Sequence, residues 1–217
     1  MSKLKNIVEY FILSLFIFFN CSASDKVFSE EHVAETLIKV AKEKKINAKI
    51  LYTIASIESN FEPLAIAVET TSRSAGVLTA LRSKNIRVIY DKEKSKTFHS
   101  KISIISLYPK DLETAKYIIK ILKKYHFCFD VGLMQINTFN FKEKEVEAMF
   151  YPEKNIKKAA EVYGHCKQRF SSLKHRIECY NRGKGNLSKD LKRKKYYYPY
   201  WKRFKRHYKK YFNKTLK

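Results

Sequence analysis

This chain is poor in the residues that interrupt regular structure. Its 217 residues include 5 glycines and 4 prolines, which excludes collagen-like and low-complexity linker architectures. There are 4 cysteines, too few for a disulfide-framework scaffold, and no pair has zinc-finger spacing. The 6 histidines are scattered, so no metal site and no cofactor is expected. Acidic residues are scarce as well: 21 against 45 Lys and Arg, a net charge of +24. That imbalance points to a polyanion or an anionic surface as partner. The 45% hydrophobic content excludes wholesale disorder, and the length suits one domain with a real core.

The longest apolar run, Phe11–Phe19, spans nine residues, well below the roughly 20 a membrane-spanning helix needs. Lys3 and Lys5 precede it and small residues follow at Cys21–Ser24. This is the three-part pattern of a secretory signal peptide, so residues 1–24 are read as an export signal and the chain as periplasmic. Cys21 offers a lipoprotein alternative, which Phe19 and Asn20 fit poorly, and an uncleaved anchor is a further alternative. Past Cys21, three thiols remain, which implies one disulfide and one leftover. Cys166–Cys179 is the preferred pair, although antiparallel helices must splay to bring them together; Cys128 is then free and buried.

Helical periodicity marks residues 29–45, with Val33, Leu37, Val40 and Ala41 on one stripe, and then Ala48–Asn60, with Ile50, Leu51, Ile54 and Ile57. Asn47 is a natural N-cap for the second and Asn60 a left-handed stop. Glu58 falls in the last turn of this helix. A carboxylate there meets the negative end of the helix dipole, which favours its protonated form, as does any burial. A proton kept near neutral pH is what a general acid needs. Taken alone, Glu58 is also an ordinary solvated acid.

Leu64–Val68 reads as a short apolar segment under a cleft. Ile86–Tyr90 and Lys101–Leu107 are β-branched and predict a hairpin with a polar loop. A helix follows to about Tyr125. Asp130–Asn137 reads as a loop entering a helix. It carries Gln135 and Asn137, whose amides suit sugar hydroxyls and N-acetyl groups, and Met134, suited to the apolar face of a sugar ring. Two more helices span 150–180, capped by Asn155 and by Ser171 or Ser172. Tyr180 and Asn181 close the second, before Gly183. The last 34 residues hold 14 Lys and Arg and one acid, Asp190. From Trp201 they form an amphipathic basic helix with Phe204, Tyr208 and Tyr211 on its apolar side. That face is expected to pack on the domain, and the charged face to contact wall or membrane anions.

Three motifs in order, Ile57-Glu58-Ser59, Gly132-Leu-Met-Gln-Ile-Asn137 and Cys179-Tyr-Asn-Arg-Gly183, resemble the soluble lytic transglycosylases, peptidoglycan-cleaving enzymes of lysozyme-like fold. The hairpin and helix ahead of Asp130-Val-Gly-Leu-Met-Gln-Ile-Asn137 resemble the conjugation and type IV secretion subgroup in particular. The resemblance implies an α+β, mainly α fold with a small β-hairpin. Residues 25–195 would be the lysozyme-like domain and 196–217 a basic aromatic C-terminal helix. It implies Glu58 as the catalytic acid/base, Ser59 as its hydrogen-bonding aid, and Met134, Gln135, Asn137, Tyr180 and Asn181 as substrate-binding residues. The substrate would be peptidoglycan glycan strands, cleaved between MurNAc and GlcNAc with a 1,6-anhydroMurNAc end. Components of a secretion or conjugation machine are implied partners, and nucleic acid is not. No motif marks a second carboxylate; Glu69, Asp91, Glu93 and Asp130 stand unassigned. A water-using muramidase and a non-catalytic wall-binding protein are the alternatives.

Overall fold

A computed structural model describes residues 28–91, 102–192 and 197–216. The signal-peptide segment with Cys21, most of the hairpin loop and Glu93 within it lie outside the described residues. The elements run α1 (Glu30–Glu43), α2 (Ala48–Glu58), β1 (Ile66–Thr71), α3 (Ser72–Thr79), β2 (Ile86–Asp91), β3 (Ile102–Pro109) and α4 (Leu112–Lys124). Then come β4 (Asp130–Val131), β5 (Ile136–Asn137), three short 3-10 turns within Thr138–Phe150, α5 (Pro152–Arg169), α6 (Leu173–Arg182), α7 (Lys184–Lys192) and α8 (Pro199–Phe212). The architecture is α+β, mainly α, with one small antiparallel sheet, as a lysozyme-like fold requires.

Local signals account for the helix starts. Ser29, Asn47, Asp111 and Ser172 each accept a backbone N–H of the first turn of their helix through the side chain. α5 begins instead with Pro152 at its first position, where the missing N–H costs nothing. Asn155 is therefore not its cap. It is fully buried one turn further in, with a different task described below.

The helices and the sheet make two cores. The first gathers α1, α2, α5, α6 and α8 around Leu37, Leu51, Ile54, Ile156, Ile177 and Phe204. The second packs α3 and α4 on the sheet through Ile66, Val68, Leu78, Ile105, Leu107, Ile118 and Leu122. The sheet order is β2-β3-β1-β4-β5, all neighbours antiparallel. The apolar segment 64–68 is thus the entry to the central strand, paired on both sides. Its alternation, with Ile66 and Val68 inward, follows the two-residue period of the pleat.

Two of the places where the chain passes between the cores are adjacent. After α2, Ile57 belongs to the first core and Leu64 to the second; after β4, Val131 belongs to the second and Leu133 to the first. Asp130–Asn137 is a tight β4–β5 hairpin rather than a loop entering a helix. Left-handed angles at Gly132 (φ +81°) and Gln135 (φ +46°) turn it back on itself. α3 and α7 are short and escape a periodicity reading, α7 because it starts in the glycine-containing Lys184-Gly185 stretch that reads as a stop.

Candidate active site

Glu58 ends α2 where the chain leaves the first core. Ser59 caps the helix, and Asn60 (φ +53°) and Phe61 (φ +64°) follow, both left-handed. Two such residues in a row without glycine are strained by about 1–2 kcal/mol each. Phe61 is held there by its ring, 4.7 Å from that of Tyr52. The Ser59 hydroxyl donates to the Leu133 carbonyl at 2.7 Å and accepts the Glu62 N–H at 3.1 Å. Ser59 is buried, and its bond to Leu133 ties these two crossing points together. In this structure its hydroxyl bonds to these groups and not to Glu58.

The hairpin is pinned from three sides. The Gly132 N–H and the Gln135 amide both reach the Ala65 carbonyl, at 2.8 and 3.0 Å. Asn155 accepts the Met134 N–H at 2.7 Å and donates to the Val131 carbonyl at 2.9 Å. The Tyr180 hydroxyl donates to the Met134 carbonyl at 2.9 Å. A Cβ on Gly132 would stand 2.3 Å from the Met149 carbonyl oxygen and 2.4 Å from Asn155 Nδ2, so this close approach requires glycine.

These contacts revise the reading of Met134. Its side chain is fully buried in the first core, while Asn155 and Tyr180 hold its backbone N–H and carbonyl. It is a packing residue, and the sugar-facing expectation does not hold in this structure. Gln135 is half-buried with both amide hydrogens committed, to Ala65 and, at 2.8 Å, to the Gly132 carbonyl. Its Oε1 is left to accept from a ligand. Asn137 donates to Asp130 Oδ1 at 2.8 Å and accepts the Phe139 N–H at 3.1 Å, leaving one amide hydrogen. The β4–β5 register sets that pair, since Asp130 lies directly opposite Asn137. Tyr180 is nearly buried with its hydroxyl used on Met134, whereas Asn181 is exposed with no side-chain partner among the described residues.

The residue that reaches Glu58 comes from the C-terminal helix. Tyr200, buried on α8, donates its hydroxyl to Glu58 Oε1 in a short hydrogen bond. Arg203, one turn on, donates to the Ile57 carbonyl at 3.2 Å. Burial pushes the Glu58 carboxyl up to about 7; the Tyr200 hydrogen bond and the Arg203 charge pull the other way, and the Asp130 charge adds to the rise. Asp130 is itself raised to about 6, by burial first and also by the charge of Glu69, while its bond from Asn137 opposes this. Tyr180 and Tyr200 are both held well above the usual phenol range, by burial first and then by the charge of Glu58. Nothing in the local sequence around Tyr200 marks it. The available signal was a buried-type tyrosine on the apolar face of an otherwise basic helix.

Cys166 and Cys179 form a disulfide with Cα atoms 5.7 Å apart, beside a small cluster with Leu187. Cys128 is free but exposed, not buried, because it lies in the short connection before β4. Two concavities elsewhere, of about 290 and 420 Å³, are lined by none of the residues around Glu58.

A lysozyme-like domain with one proton-retaining carboxyl at a helix end, and an amide-bearing turn tied to that end, has the parts of a glycan-cleaving enzyme. The chain belongs to the transglycosylase SLT domain family, which it matches over residues 35–200. Its members are lytic transglycosylases, glycan-cleaving lyases acting on peptidoglycan. No curated protein and no solved structure matches the chain.

Proposed function

We propose that this chain cleaves the MurNAc–GlcNAc β-1,4 bond of peptidoglycan with Glu58 acting first as acid and then as base. The carrying observation is that Glu58 is raised to about 7 and shares a hydrogen bond with Tyr200. A single carboxyl near neutrality is present in both protonation states at working pH. Glu58 gives its proton to the linking oxygen, and GlcNAc leaves as the alcohol. Positive charge develops on the MurNAc ring, as in other oxocarbenium-like cleavages. The substrate's own acetamido group stabilises it. The ionised Glu58 then takes the proton of the C6 hydroxyl as that oxygen bonds to C1. The product is a 1,6-anhydroMurNAc end, no water is consumed, and Glu58 is again protonated. Gln135 Oε1, the remaining Asn137 N–H and the Asn181 amide supply hydrogen bonds to the sugars.

The export-signal pattern of residues 1–24 supports action in the periplasm. The hairpin and helix between Glu58 and Gly132, which the conjugation and type IV secretion subgroup shares, support local opening of the wall for such an apparatus. The test is the mass of the products from purified peptidoglycan digested by wild type and by Glu58→Gln. Anhydro ends from the wild type and none from the variant are expected. Products heavier by one water would overturn the lyase reading in favour of a hydrolase, with Asp130, whose charge acts on Glu58, as the second carboxylate.

A further inference from the structure

α8 does more than deliver Tyr200. Three of its side chains, spaced three and four residues apart, meet the last turn of α2 in sequence. Tyr200 donates to the Glu58 carboxyl, Arg203 donates to the Ile57 carbonyl at 3.2 Å, and His207 Nδ1 lies 3.1 Å from Ser56 Oγ. The Ser56 hydroxyl already spends its one proton on the Thr53 carbonyl at 2.7 Å, so the His207 nitrogen is the donor. The spacing of 200, 203 and 207 is one face of a helix. Opposite it, residues 56–58 are consecutive, so α8 closes the C-terminal end of α2 as a polar clasp. The family match ends at residue 200, so Arg203 and His207 lie beyond it.

The end of a helix is where a carboxylate is least welcome, because the last carbonyls point their negative ends outward. Here Arg203 takes one of those carbonyls, and its guanidinium carbon lies 6.0 Å from the centre of the Tyr200 ring. It thus contacts the helix end that carries Glu58 and the residue that hydrogen-bonds Glu58. We propose that Arg203 is a positioning residue for the reaction: it stabilises the ionised Glu58 formed by the acid step and so permits the base step. This rests on the reading of Glu58 as acid and then base.

The groups acting on Glu58 are Tyr200 and Arg203 from α8 and Asp130 from β4, with Tyr180 from α6 beside them. Arg203 is the one cation among them. It is exposed on its outer side, so its replacement leaves the α8 core contacts of Trp201, Phe204 and Tyr208 in place. His207 is depressed by burial first, then by the charges of Arg203, Arg206 and Lys210.

The experiment is the pH dependence of kcat and kcat/KM on purified peptidoglycan for wild type, Arg203→Met, Arg203→Gln and Arg203→Lys. The acid step needs protonated Glu58, so kcat/KM falls on the alkaline side as Glu58 loses its proton. Loss of a nearby cation raises proton affinity, so in Arg203→Met and Arg203→Gln this limb moves up by about one pH unit. At the same time kcat falls by about tenfold, since the anion needed by the base step is less stable. Arg203→Lys keeps the limb at its wild-type position. Arg203→Gln retains N–H donors for the Ile57 carbonyl and so separates charge from hydrogen bonding. Neutral variants that fold, by circular dichroism, and keep the wild-type limb overturn the proposal, whatever their rates. If Arg203→Met fails to fold, the same comparison is read from Arg203→Gln. Activity in Glu58→Gln would instead sink the acid-then-base reading itself.

Discussion

Glu178, fully buried on α6, accepts the backbone N–H of Trp201 at 2.7 Å. Trp201 is the third residue of α8, so a carboxylate from another helix caps this helix where no side chain of its own does. The contact sets the axial position of α8, and with it the reach of Tyr200 to Glu58.

Glu178 variants are therefore expected to separate stability from chemistry. Glu178→Gln keeps an acceptor and loses the charge at the helix N-terminus, a cost of about 1 kcal/mol. It should melt a few degrees lower and retain most activity below its transition. Glu178→Ala leaves the Trp201 N–H unpaired in the core, a loss of about 2–3 kcal/mol. Activity should fall with it as Tyr200 withdraws. Thermal melting beside glycan release measures both.

The raised proton affinity of Glu58 carries a cost to folding at alkaline pH. Its folded carboxyl sits at about 7 against an ordinary 4.5, so the native state binds the proton more tightly than the unfolded chain. Stability contributed by this group is greatest below 4.5 and declines as pH rises through 7. Glu58→Gln removes the cost of the buried anion. This variant should be more stable than wild type at pH 8 by on the order of 1 kcal/mol, after discounting for partial exposure, and equal to it at pH 4. Denaturant melts at the two pH values check this. A stability difference independent of pH would contradict the raised proton affinity.

Tyr200→Phe removes the hydroxyl that opposes burial at Glu58. The carboxyl should then hold its proton to higher pH, moving the alkaline limb of kcat/KM upward. A kcat decrease of roughly tenfold is expected from losing one charge-assisted hydrogen bond. Steady-state rates from pH 5 to 9 provide the measurement.

Gly132 tolerates no side chain. With φ at +81° and a Cβ that would approach backbone at 2.3 Å, Gly132→Ala is strained twice over. We expect a loss of about 3 kcal/mol or more, with the hairpin displaced from Ala65 and Asn155. Expression as soluble folded protein, followed by urea melting, is the check. Gly183, whose φ is +78° but whose Cβ would meet nothing within 4 Å, should cost markedly less.

The disulfide spans 13 residues between Cys166 and Cys179. Closing a loop of that size stabilises by about 3 kcal/mol through the unfolded chain. Cys166→Ser with Cys179→Ser should lower the melting temperature without moving the pH limbs of activity, because Tyr200, Arg203 and Asp130, which act on Glu58, lie outside the stretch the bridge closes.

The parts legible in sequence were those written in adjacent residues. Helical periodicity and the Asn47 cap located α2, and with it the placement of Glu58 in its last turn. β-branched runs located β2 and β3. The motif Gly132–Asn137 located the hairpin, though not its shape, since left-handed angles at Gly132 and Gln135 carry no periodic signal. Which members of that motif face inward was equally hidden: Met134 is core, and Gln135 offers a single oxygen. A motif names residues, but the sign of each φ and the packing around it decide where they point.

What only the tertiary structure decided is the electrostatic state of Glu58. Sequence alone determined that an acid stands at the negative end of a helix, an awkward place for charge. Its proton affinity depends on Tyr200, 142 residues away, on the Arg203 charge, and on Asp130 across the hairpin. Burial and Coulomb interactions act through space within a few ångströms. No reading along the chain reports them until α8 is docked, by Glu178 and by the buried rings of Trp201 and Phe204, against the helix that carries the acid.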